Sequence, residues 1–310
     1  MEVKRKFPPR EKLGHIIFTI GFYDGIHKGH QKILSQLVKD AKLKGGKSCV
    51  ISFASHPSEF FSGLSLPLLT TWEEKKKILA ESGIDLLFIL PFTSNFASLS
   101  PYSFMKQLSN NLEIEEMVVG EDFAFGKDRK GDVRWLKEAE NEFKYKLKVI
   151  PLLKIEKKKL SSSLIRQWLK EGKIEKASQW LGRYPTILGR VVRGKRRGRV
   201  LGYPTANLEP YPHKLLPAPG VYAGRITLRG DLYKAIINVG GKPTFADSSF
   251  GTEVHIIKFK GNIYGESIKI ELVNKIRRIE KFASFSSLAE RIKKDSEEAD
   301  RILEGFNWLS

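Results

Sequence analysis

Residues 21–30 have the sequence GFYDGIHKGH, a glycine-punctuated stretch that ends in two histidines three positions apart. The preceding residues, His15–Ile20, form a short apolar run typical of a β-strand. The following residues place apolar side chains at helical spacing until Gly45 and Gly46, so we expect a helix there. A strand, a glycine-rich turn and a helix N-terminus in this order form the junction at which open α/β folds bind ligands.

Strand and helix patterns alternate along the rest of the first half. The predicted strands are Ser48–Phe53, Asp85–Phe92, Glu116–Val119 and Leu147–Ile150, and the predicted helices are Glu73–Glu81, Pro101–Leu112, Val133–Phe143, Ser162–Lys170 and Ile174–Leu181. Because successive strands joined through helices run parallel, we expect a parallel sheet covered by helices on both faces. This α/β domain is predicted to span residues 1–182.

The pattern changes near Gly182. From Arg183 to Val200 there are seven basic residues and no acidic one. Five short strand patterns, separated by Gly, Pro, Asn and Asp, are Ile187–Val192, Val221–Leu228, Lys234–Val239, Glu253–Phe259 and Ser267–Lys275. Strands of this length and spacing predict a small antiparallel β-barrel, and Ser287–Glu304 predicts a C-terminal amphipathic helix. The second domain is expected to span residues 183–310.

The composition limits the kinds of protein to consider. The chain has 310 residues, of which 41% are hydrophobic and 29% charged, and these proportions favour folded domains. Its formal net charge of +19 favours polyanionic ligands, whether nucleic acid, anionic lipid or nucleotide phosphates. The single cysteine, Cys49, excludes an intrachain disulfide and is interpreted as a buried strand residue. With no apolar stretch near the roughly 20 residues of a membrane span and no signal-peptide pattern, we expect a soluble, cytoplasmic protein without a membrane partner.

The stretch 21–30 suits phosphate chemistry. Gly21, Gly25 and the helix N-terminus permit close approach of backbone N–H groups to a phosphate. His27 and His30 can each donate a hydrogen bond to a phosphorus centre under attack, which stabilises charge that develops in the transition state. Two surface histidines or a zinc pair are the alternatives, although no clear third zinc ligand lies nearby.

A second segment of the first half, SSSLIR at residues 161–166, follows the last predicted strand and opens a helix. Its serines, Ser161, Ser162 and Ser163, fit an ordinary N-cap cluster. With Arg166 one turn into the helix, the same segment also suits triphosphate oxygens. The combination of this loop with the HxGH pattern favours the phosphate interpretation.

The second half carries its own candidate site, GKRRGRVLGYPTAN at residues 194–207. Gly194 and Gly198 permit close approach to phosphates, and Arg199 with its basic neighbours balances their charge. Thr205 and Asn207 offer hydroxyl and carbonyl oxygens suited to Mg²⁺ shared with ATP. A basic hairpin that binds RNA is the alternative.

The chain resembles a known family at these segments. HKGH and SSSLIR are similar to the nucleotidylyltransferase superfamily, and VGEDFAFG at residues 119–126 together with His56-Pro57 resembles its flavin-adenylylating branch. With the PTAN tetrapeptide, the resemblance covers roughly residues 15–305, and the chain is identified as a member of the bacterial bifunctional riboflavin kinase/FAD synthetase family. This resemblance implies a Rossmann-like adenylyltransferase domain followed by a β-barrel kinase domain.

The resemblance also implies two reactions. The barrel phosphorylates riboflavin with ATP to give FMN, and the α/β domain transfers AMP from a second ATP to FMN, giving FAD and pyrophosphate. Mg²⁺ is the implied cofactor and the small-molecule substrates are the implied partners. No nucleic acid partner is expected, and oligomerisation stays open.

Residue roles follow from the resemblance position by position. In the adenylyltransferase, the catalytic residues are His27, His30 and Arg166. The ATP-binding residues are Gly21, Asp24, Gly25, His27, His30, Ser161, Ser162, Ser163 and Arg166. The flavin-binding residues are His56, Pro57, Asp122, Phe123 and Arg129. In the kinase, the ATP-binding residues are Gly194, Gly198, Arg199, Thr205 and Asn207, and Thr205 and Asn207 also hold Mg²⁺. The general base is Glu253, and the flavin-binding residues are Arg277 and Phe282. Strand alternation alone leaves Glu253 equally open to being a solvent-facing residue, and Arg278 competes with Arg277.

Three positions depart from the family pattern. Phe22 replaces a small polar residue, Ser55 replaces a proline, and Ser163 replaces a threonine and keeps the hydroxyl. Phe22 is expected to narrow the adenine or phosphate pocket. Two other functions stay open at this point, namely a single-activity adenylyltransferase with an acceptor-binding barrel and a basic RNA-binding or regulatory protein.

Overall fold

The computed structural model describes residues 1–7, 13–193, 205–242, 247–259 and 261–304. The chain divides into two compact units. The first comprises Met1–Leu66 and Trp72–Ser161, and the second comprises Pro67–Thr71 and Ser162–Ser310.

The first unit is built on a parallel sheet. Its strands are β1 (Glu2–Lys4), β2 (His15–Ile20), β3 (Lys47–Phe53), β4 (Leu86–Leu90), β5 (Glu113–Gly120), β6 (Ala124–Phe125), β7 (Gly131–Asp132), β8 (Lys146–Ile150), β9 (Lys154–Ile155) and β10 (Lys158–Lys159). Six of them form a sheet in the order β1-β4-β3-β2-β5-β8, with every neighbouring pair parallel. The strand order reverses between β2 and β5, so the carboxyl end of β2 lies where ligands bind in open α/β sheets.

Helices cover both faces of this sheet. They are α1 (Lys28–Lys44), α2 (Pro57–Ser62), α3 (Trp72–Glu81), α4 (Ser94–Ala97), α5 (Pro101–Asn111), α6 (Val133–Glu138) and α7 (Glu140–Phe143), with a short 3₁₀ turn at Lys127–Arg129. Ile16 and Phe18 of β2 belong to one buried apolar cluster, while Ile17 between them belongs to another with Leu34 of α1. Alternate residues of one strand thus pack against opposite layers. The predicted parallel sheet with two covered faces is confirmed.

The second unit contains the antiparallel sheet. Its elements are α8 (Ser162–Lys170), α9 (Ile174–Leu181), β11 (Thr186–Val192), β12 (Ala206–Pro210), β13 (Gly220–Leu228), β14 (Asp231–Lys242), β15 (Asp247–Ile256), β16 (Ser267–Arg277) and α10 (Phe285–Glu304). The strands close into a barrel in the order β11-β12-β15-β14-β13-β16. Ala299 and Leu303 of α10 pack on Val221 and Ala223 of β13. The predicted barrel with a C-terminal helix is confirmed.

Element boundaries differ from the sequence expectations at a few places. The predicted helix Val133–Phe143 is divided into α6 and α7 at Ala139. The strand β12 was not predicted, because Asn207 and Pro210 are residues typical of turns. Hydrogen bonding to β11 on one side and β15 on the other makes this segment a strand.

Candidate active sites

The turn between β2 and α1, residues 21–27, is called the phosphate loop below. Tyr23 has φ 53° and Ile26 has φ 38°, beside Gly25 with φ 79°. A positive φ is unfavourable for a bulky residue and more so for a β-branched one. Such strain persists only where the surrounding structure holds the backbone in place, and it is concentrated at functional sites.

Hydrogen bonds from neighbouring elements hold this loop. The Tyr23 hydroxyl lies 2.6 Å from Thr19 Oγ1, and burial raises the pKa of Tyr23, so the phenol stays protonated. Gln31 Nε2 donates to the Ile26 carbonyl at 2.9 Å, and the backbone N–H of Gly21 donates to the Ile51 carbonyl at 3.0 Å. The loop is therefore fixed from both β2 and α1 before any ligand binds.

The two histidines lie together at the N-terminus of α1. His27 is the N-cap residue, and its Nδ1 accepts a hydrogen bond from the backbone N–H of His30 at 3.3 Å. The two rings stack with centroids 3.7 Å apart and planes 18° apart. Because Nδ1 of His27 accepts, the proton of the neutral ring is assigned to Nε2, which is then a donor. The arrangement presents imidazole groups and a helix N-terminus to one place, as anion binding requires.

Gly29 lies against the His27 ring. A Cβ at position 29 would lie 3.1 Å from both Nδ1 and Cε1 of His27, tighter than nine in ten Cβ contacts in proteins. The glycine of the HxGH pattern therefore makes room for the His27 ring. Asp24, another predicted ATP-binding residue, is buried in the same loop with 2% of its surface exposed.

The serine-rich segment begins a helix, as predicted from the sequence. Ser162 and Ser163 open α8, directly after Ser161. Arg166 lies one turn further along, and its Nε donates to the Pro67 carbonyl at 3.1 Å within the second unit. That hydrogen bond fixes the direction of the Arg166 side chain.

The predicted flavin-binding pair His56-Pro57 begins α2. Nδ1 of His56 accepts a hydrogen bond from the backbone N–H of Ser58 at 3.1 Å, and the backbone N–H of His56 donates to Glu59 Oε2 at 3.3 Å. This reciprocal capping box fixes the His56 ring. The ring of Phe22 meets that of His56 edge-on, with centroids 4.7 Å apart, so this segment contacts the phosphate loop.

An aromatic cluster beside His56 was not predicted from the sequence. Phe60 and Phe61 of α2 contact Phe92, with ring centroids 5.5 and 6.0 Å apart, and Phe92 contacts Phe53. Phe61 is 72% exposed, which is unusual for so large an apolar side chain. In the sequence, the consecutive Phe60 and Phe61 shortly after His56-Pro57 were the available indication of a stacking surface.

The remaining predicted flavin-binding residues of this unit follow β5. Asp122 forms an ion pair with Lys159, and the ring of Phe123 stacks on Phe125 with centroids 5.6 Å apart. Arg129 closes the 3₁₀ turn with φ 56°. All three lie in the segment that joins β5 to α6.

The barrel places a row of polar residues across three adjacent strands. Glu253 of β15 pairs directly with Asn207 of β12 on one side and with Asn238 of β14 on the other. Directly paired residues of neighbouring antiparallel strands extend their side chains to the same face. Thr205 lies two positions before Asn207, directly before β12. The predicted base and the predicted magnesium-binding asparagine are therefore neighbours.

Asn238 was missed because its partner strand could not be identified from the sequence. Its Oδ1 is buried and makes no hydrogen bond to any residue that the structure describes. Gly194, Gly198 and Arg199, which were also assigned to ATP, lie outside the described residues.

The segment expected to contact flavin in the barrel is held by α10. Arg277 donates to both carboxylate oxygens of Asp295 through Nε at 2.9 and 3.0 Å, and the Phe282 ring lies 5.6 Å from its guanidinium. Arg278 accepts a hydrogen bond from Arg277 through its carbonyl oxygen. Arg277 thus links β16, the following loop and α10, which fixes the position of Phe282.

Two further findings concern metals and membranes. Within the described ranges, no group of three or more His, Cys, Asp or Glu residues could hold a metal ion. The helices of those ranges also include none with the length and apolar character of a membrane span.

Comparison with known proteins covers both units. A family model described as FAD synthetase matches residues 10–164, and one described as riboflavin kinase matches residues 181–303. The bifunctional riboflavin kinase/FMN adenylyltransferase of Bacillus subtilis (strain 168) is 35% identical over 297 residues, which are 94% of each chain. The chain belongs to this bifunctional family. The corresponding protein of Buchnera aphidicola subsp. Schizaphis graminum is 39% identical over 90% of this chain and 91% of its own length.

Membership of the bifunctional riboflavin kinase/FMN adenylyltransferase family makes the chain both a kinase and a nucleotidyltransferase. Riboflavin, FMN and ATP are its substrates, and FAD is its final product. Because separate models match both halves, the single-activity alternative is not supported. A solved structure described as a macrolide-efflux protein from Streptococcus pneumoniae is 30% identical, covers 98% of this chain and 99% of its own, and has a TM-score of 0.86. The same fold thus extends over nearly the whole chain.

Proposed function

We propose that the phosphate loop with His27 and His30 carries out AMP transfer to FMN, and that the Asn207–Glu253–Asn238 row carries out riboflavin phosphorylation. Residues 1–182 then form the adenylyltransferase domain and residues 183–310 the kinase domain. The observation that carries the first assignment is the histidine stack at the N-terminus of α1.

In AMP transfer, a phosphate oxygen of FMN attacks the α-phosphorus of ATP while the bond to pyrophosphate breaks in line. His27 and His30 donate to the α-phosphoryl oxygens, on which negative charge increases in the transition state. The N-terminus of α1 adds backbone donors, while Gly21 and Gly25 permit close approach of the nucleotide to the loop that also contains Asp24. Arg166 with Ser161, Ser162 and Ser163 holds the departing pyrophosphate.

FMN, the acceptor in this reaction, is assigned to the side of the phosphate loop that carries α2. His56 and Pro57 lie beside the exposed aromatic cluster, whose faces suit the isoalloxazine ring. Asp122, Phe123 and Arg129 complete the flavin site, with the guanidinium of Arg129 available to the acceptor phosphate.

In the kinase, Glu253 takes the proton of the ribityl 5′-hydroxyl as that oxygen attacks the γ-phosphorus of ATP and the bond from this phosphorus to ADP breaks. Thr205 and Asn207 would hold Mg²⁺ through hard oxygen donors, and Asn207 lies opposite Glu253 in the β12–β15 pair. When bound, Mg²⁺ neutralises phosphate charge. Gly194, Gly198 and Arg199, which lie outside the described residues, are assigned to the ATP phosphates on their sequence alone, and Arg277 positions Phe282 against the flavin.

The partners of this protein are proposed to be its small-molecule substrates, without nucleic acid, and its location is proposed to be the cytoplasm. The net charge of +19 is larger than two nucleotide sites require.

The experiment that tests the assignment of sites measures two rates on one variant, FMN formation from riboflavin and FAD formation from supplied FMN. A variant in either site should change one rate alone.

Gly29→Ala tests the histidine stack. Alanine is favoured over glycine in a helix, so α1 should fold normally. Its methyl group would displace the His27 ring, and we expect FAD formation from FMN to fall about 10-fold, since small misplacements of reacting groups are costly. Ser35→Ala, at an exposed position of the same helix, is the matched control. A Gly29→Ala rate within two-fold of the parent would contradict the role given to the stack.

Asn238→Ala tests the residue that the barrel register adds to the kinase site. The variant removes a buried Oδ1 that lacks a hydrogen bond among the described residues, so the barrel should not lose stability. We expect riboflavin phosphorylation to fall about 10-fold, as for loss of one substrate hydrogen bond of about 1.4 kcal/mol. Asn274→Ala on β16 is the matched control, because Asn274 pairs with Ala223 and lies outside the row. Equal rates for the two variants would remove Asn238 from the site.

A further inference from the structure

Lys75 on α3 is a buried cation that the reactions proposed above do not use. Only 1% of its surface is exposed. Its Nζ donates to the backbone carbonyl of Phe22 at 2.5 Å, and lies 3.7 Å from the centroid of the Phe22 ring and 4.2 Å from that of the Trp72 ring. The ammonium group is therefore enclosed by two aromatic faces and one carbonyl oxygen of the phosphate loop.

This position is unfavourable for a charge. Burial lowers the pKa of Lys75 to about 7, although the negative charge of Asp24 opposes the decrease. Cation–π contacts and one hydrogen bond recover only part of the lost hydration of an ammonium group. An apolar side chain of similar length would fill the same space at a lower cost, so the stability of the fold does not explain a lysine here.

The contacts of Lys75 explain why a lysine occupies this buried position. The Phe22 carbonyl that it binds directly precedes Tyr23, the first of the two strained residues in the phosphate loop. Hydrogen bonds involving Thr19 and Gln31 hold the loop from β2 and α1. The Phe22 carbonyl accepts from Ser52 Oγ of β3 at 3.4 Å and, at the shorter distance of 2.5 Å, from Lys75 of α3.

The unusual Phe22 takes part in the same arrangement. Its ring covers the Lys75 ammonium on one side and meets the His56 ring edge-on. The ring thereby connects the loop assigned to ATP with the segment assigned to FMN. A small polar residue at position 22 could accept through its carbonyl but would leave the ammonium without this aromatic face.

We infer that Lys75 is a positioning residue for AMP transfer, which holds the phosphate loop in its strained conformation through the Phe22 carbonyl. The inference rests on the assignment of AMP transfer to the phosphate loop. Lys75 acts on the substrates through the loop and not by contact with the reacting atoms.

The test compares Lys75→Met with Lys77→Met in the full chain. Both variants replace a lysine of α3, but Lys77 is exposed and pairs only with Glu81 at 3.9 Å in the described part of the chain. For Lys75→Met we expect kcat for FAD formation from FMN to fall about 10²-fold with a change of less than five-fold in KM for ATP, because a misplaced loop affects the transition state most. Lys77→Met should match the parent.

Thermal unfolding and the second reaction complete the test. The Lys75→Met chain should unfold at the same or a higher temperature than the parent, since it no longer buries a charge. Riboflavin phosphorylation should be unchanged. A lowered unfolding temperature together with lost AMP transfer would make Lys75 a structural residue and overturn the inference, and so would AMP transfer within three-fold of the parent.

His27→Ala, measured in parallel, separates this inference from the proposed function. If His27→Ala keeps full AMP transfer, the assignment of the reaction to the phosphate loop is wrong. If His27→Ala loses AMP transfer while Lys75→Met keeps it, only the role of Lys75 is wrong.

Discussion

His27→Ala and His30→Ala are each expected to lower FAD formation from FMN by about 10²–10³-fold, the usual effect of removing one donor that stabilises a transition state. The two rings stack at 3.7 Å at the N-terminus of α1, so both are directed to the same place. The measurement is the rate of FAD and pyrophosphate formation at saturating ATP and FMN.

The histidine variants carry their own control. Riboflavin phosphorylation is assigned to the barrel, so FMN formation by either variant should equal that of the parent. His15→Ala is a matched substitution, because the His15 side chain is 60% exposed at the start of β2 and lies 3.5 Å from Glu113. Full FAD synthesis by both the His27 and His30 variants would exclude the stack from the reaction.

The double variant gives additional information. If the two histidines stabilise the same charge, removing both should cost less than the product of the single effects, as for groups that act as a unit. Multiplicative losses would instead indicate two independent contacts, for example with different phosphoryl groups. Either result measures how strongly the stacked rings are coupled.

The sheet of the first unit could be predicted because its sequence determines it locally. A β-strand alternates the faces to which its side chains point, and β2 is apolar at successive positions because both faces are covered. The histidine pair was predictable for the same kind of reason. Residues three apart at the start of a helix lie on one side of it, so His27 and His30 had to be neighbours.

The contact between Lys75 and Phe22 could not be predicted in this way. The two residues are 53 positions apart, and their approach depends on the packing of α3 against the turn after β2. In the sequence, Lys75 is the first of three consecutive lysines that have the same chemistry. Only the direction in which each extends from α3 makes Lys75 buried and Lys77 exposed.

In the barrel, too, the residues that lie beside Glu253 could not be predicted from the sequence. Strand alternation placed Glu253 on a face of its strand but did not identify the strands on either side. The register of an antiparallel barrel depends on its loops and on closure, and here it places Asn207 and Asn238 opposite Glu253. Arg277 likewise binds Asp295 of α10, 18 residues away, which no local pattern indicated.

Glu253→Gln is expected to lower riboflavin phosphorylation by about 10²–10⁴-fold, the usual contribution of a positioned general base. Glutamine keeps the size and the hydrogen-bonding reach of glutamate but has no appreciable basicity, so the ribityl hydroxyl would have to lose its proton without assistance. Affinity for riboflavin should change little, because the base acts in the chemical step. The measurement is FMN formation under single-turnover conditions, with riboflavin binding followed separately.

The same variant also shows whether the two reactions are separable. Supplied FMN should become FAD at the parental rate, since AMP transfer is assigned to residues 1–182, which do not include Glu253. His255→Gln is the matched control, because His255 lies on the same strand face as Glu253 but pairs with Ile236 and not with the polar row. If Glu253→Gln phosphorylates riboflavin within a few-fold of the parent, Glu253 is an ordinary strand residue. The base is at Glu253 if Glu253→Gln loses only phosphorylation and His255→Gln loses neither reaction. A change in the fold of β15 would affect both variants and would not produce this difference between them.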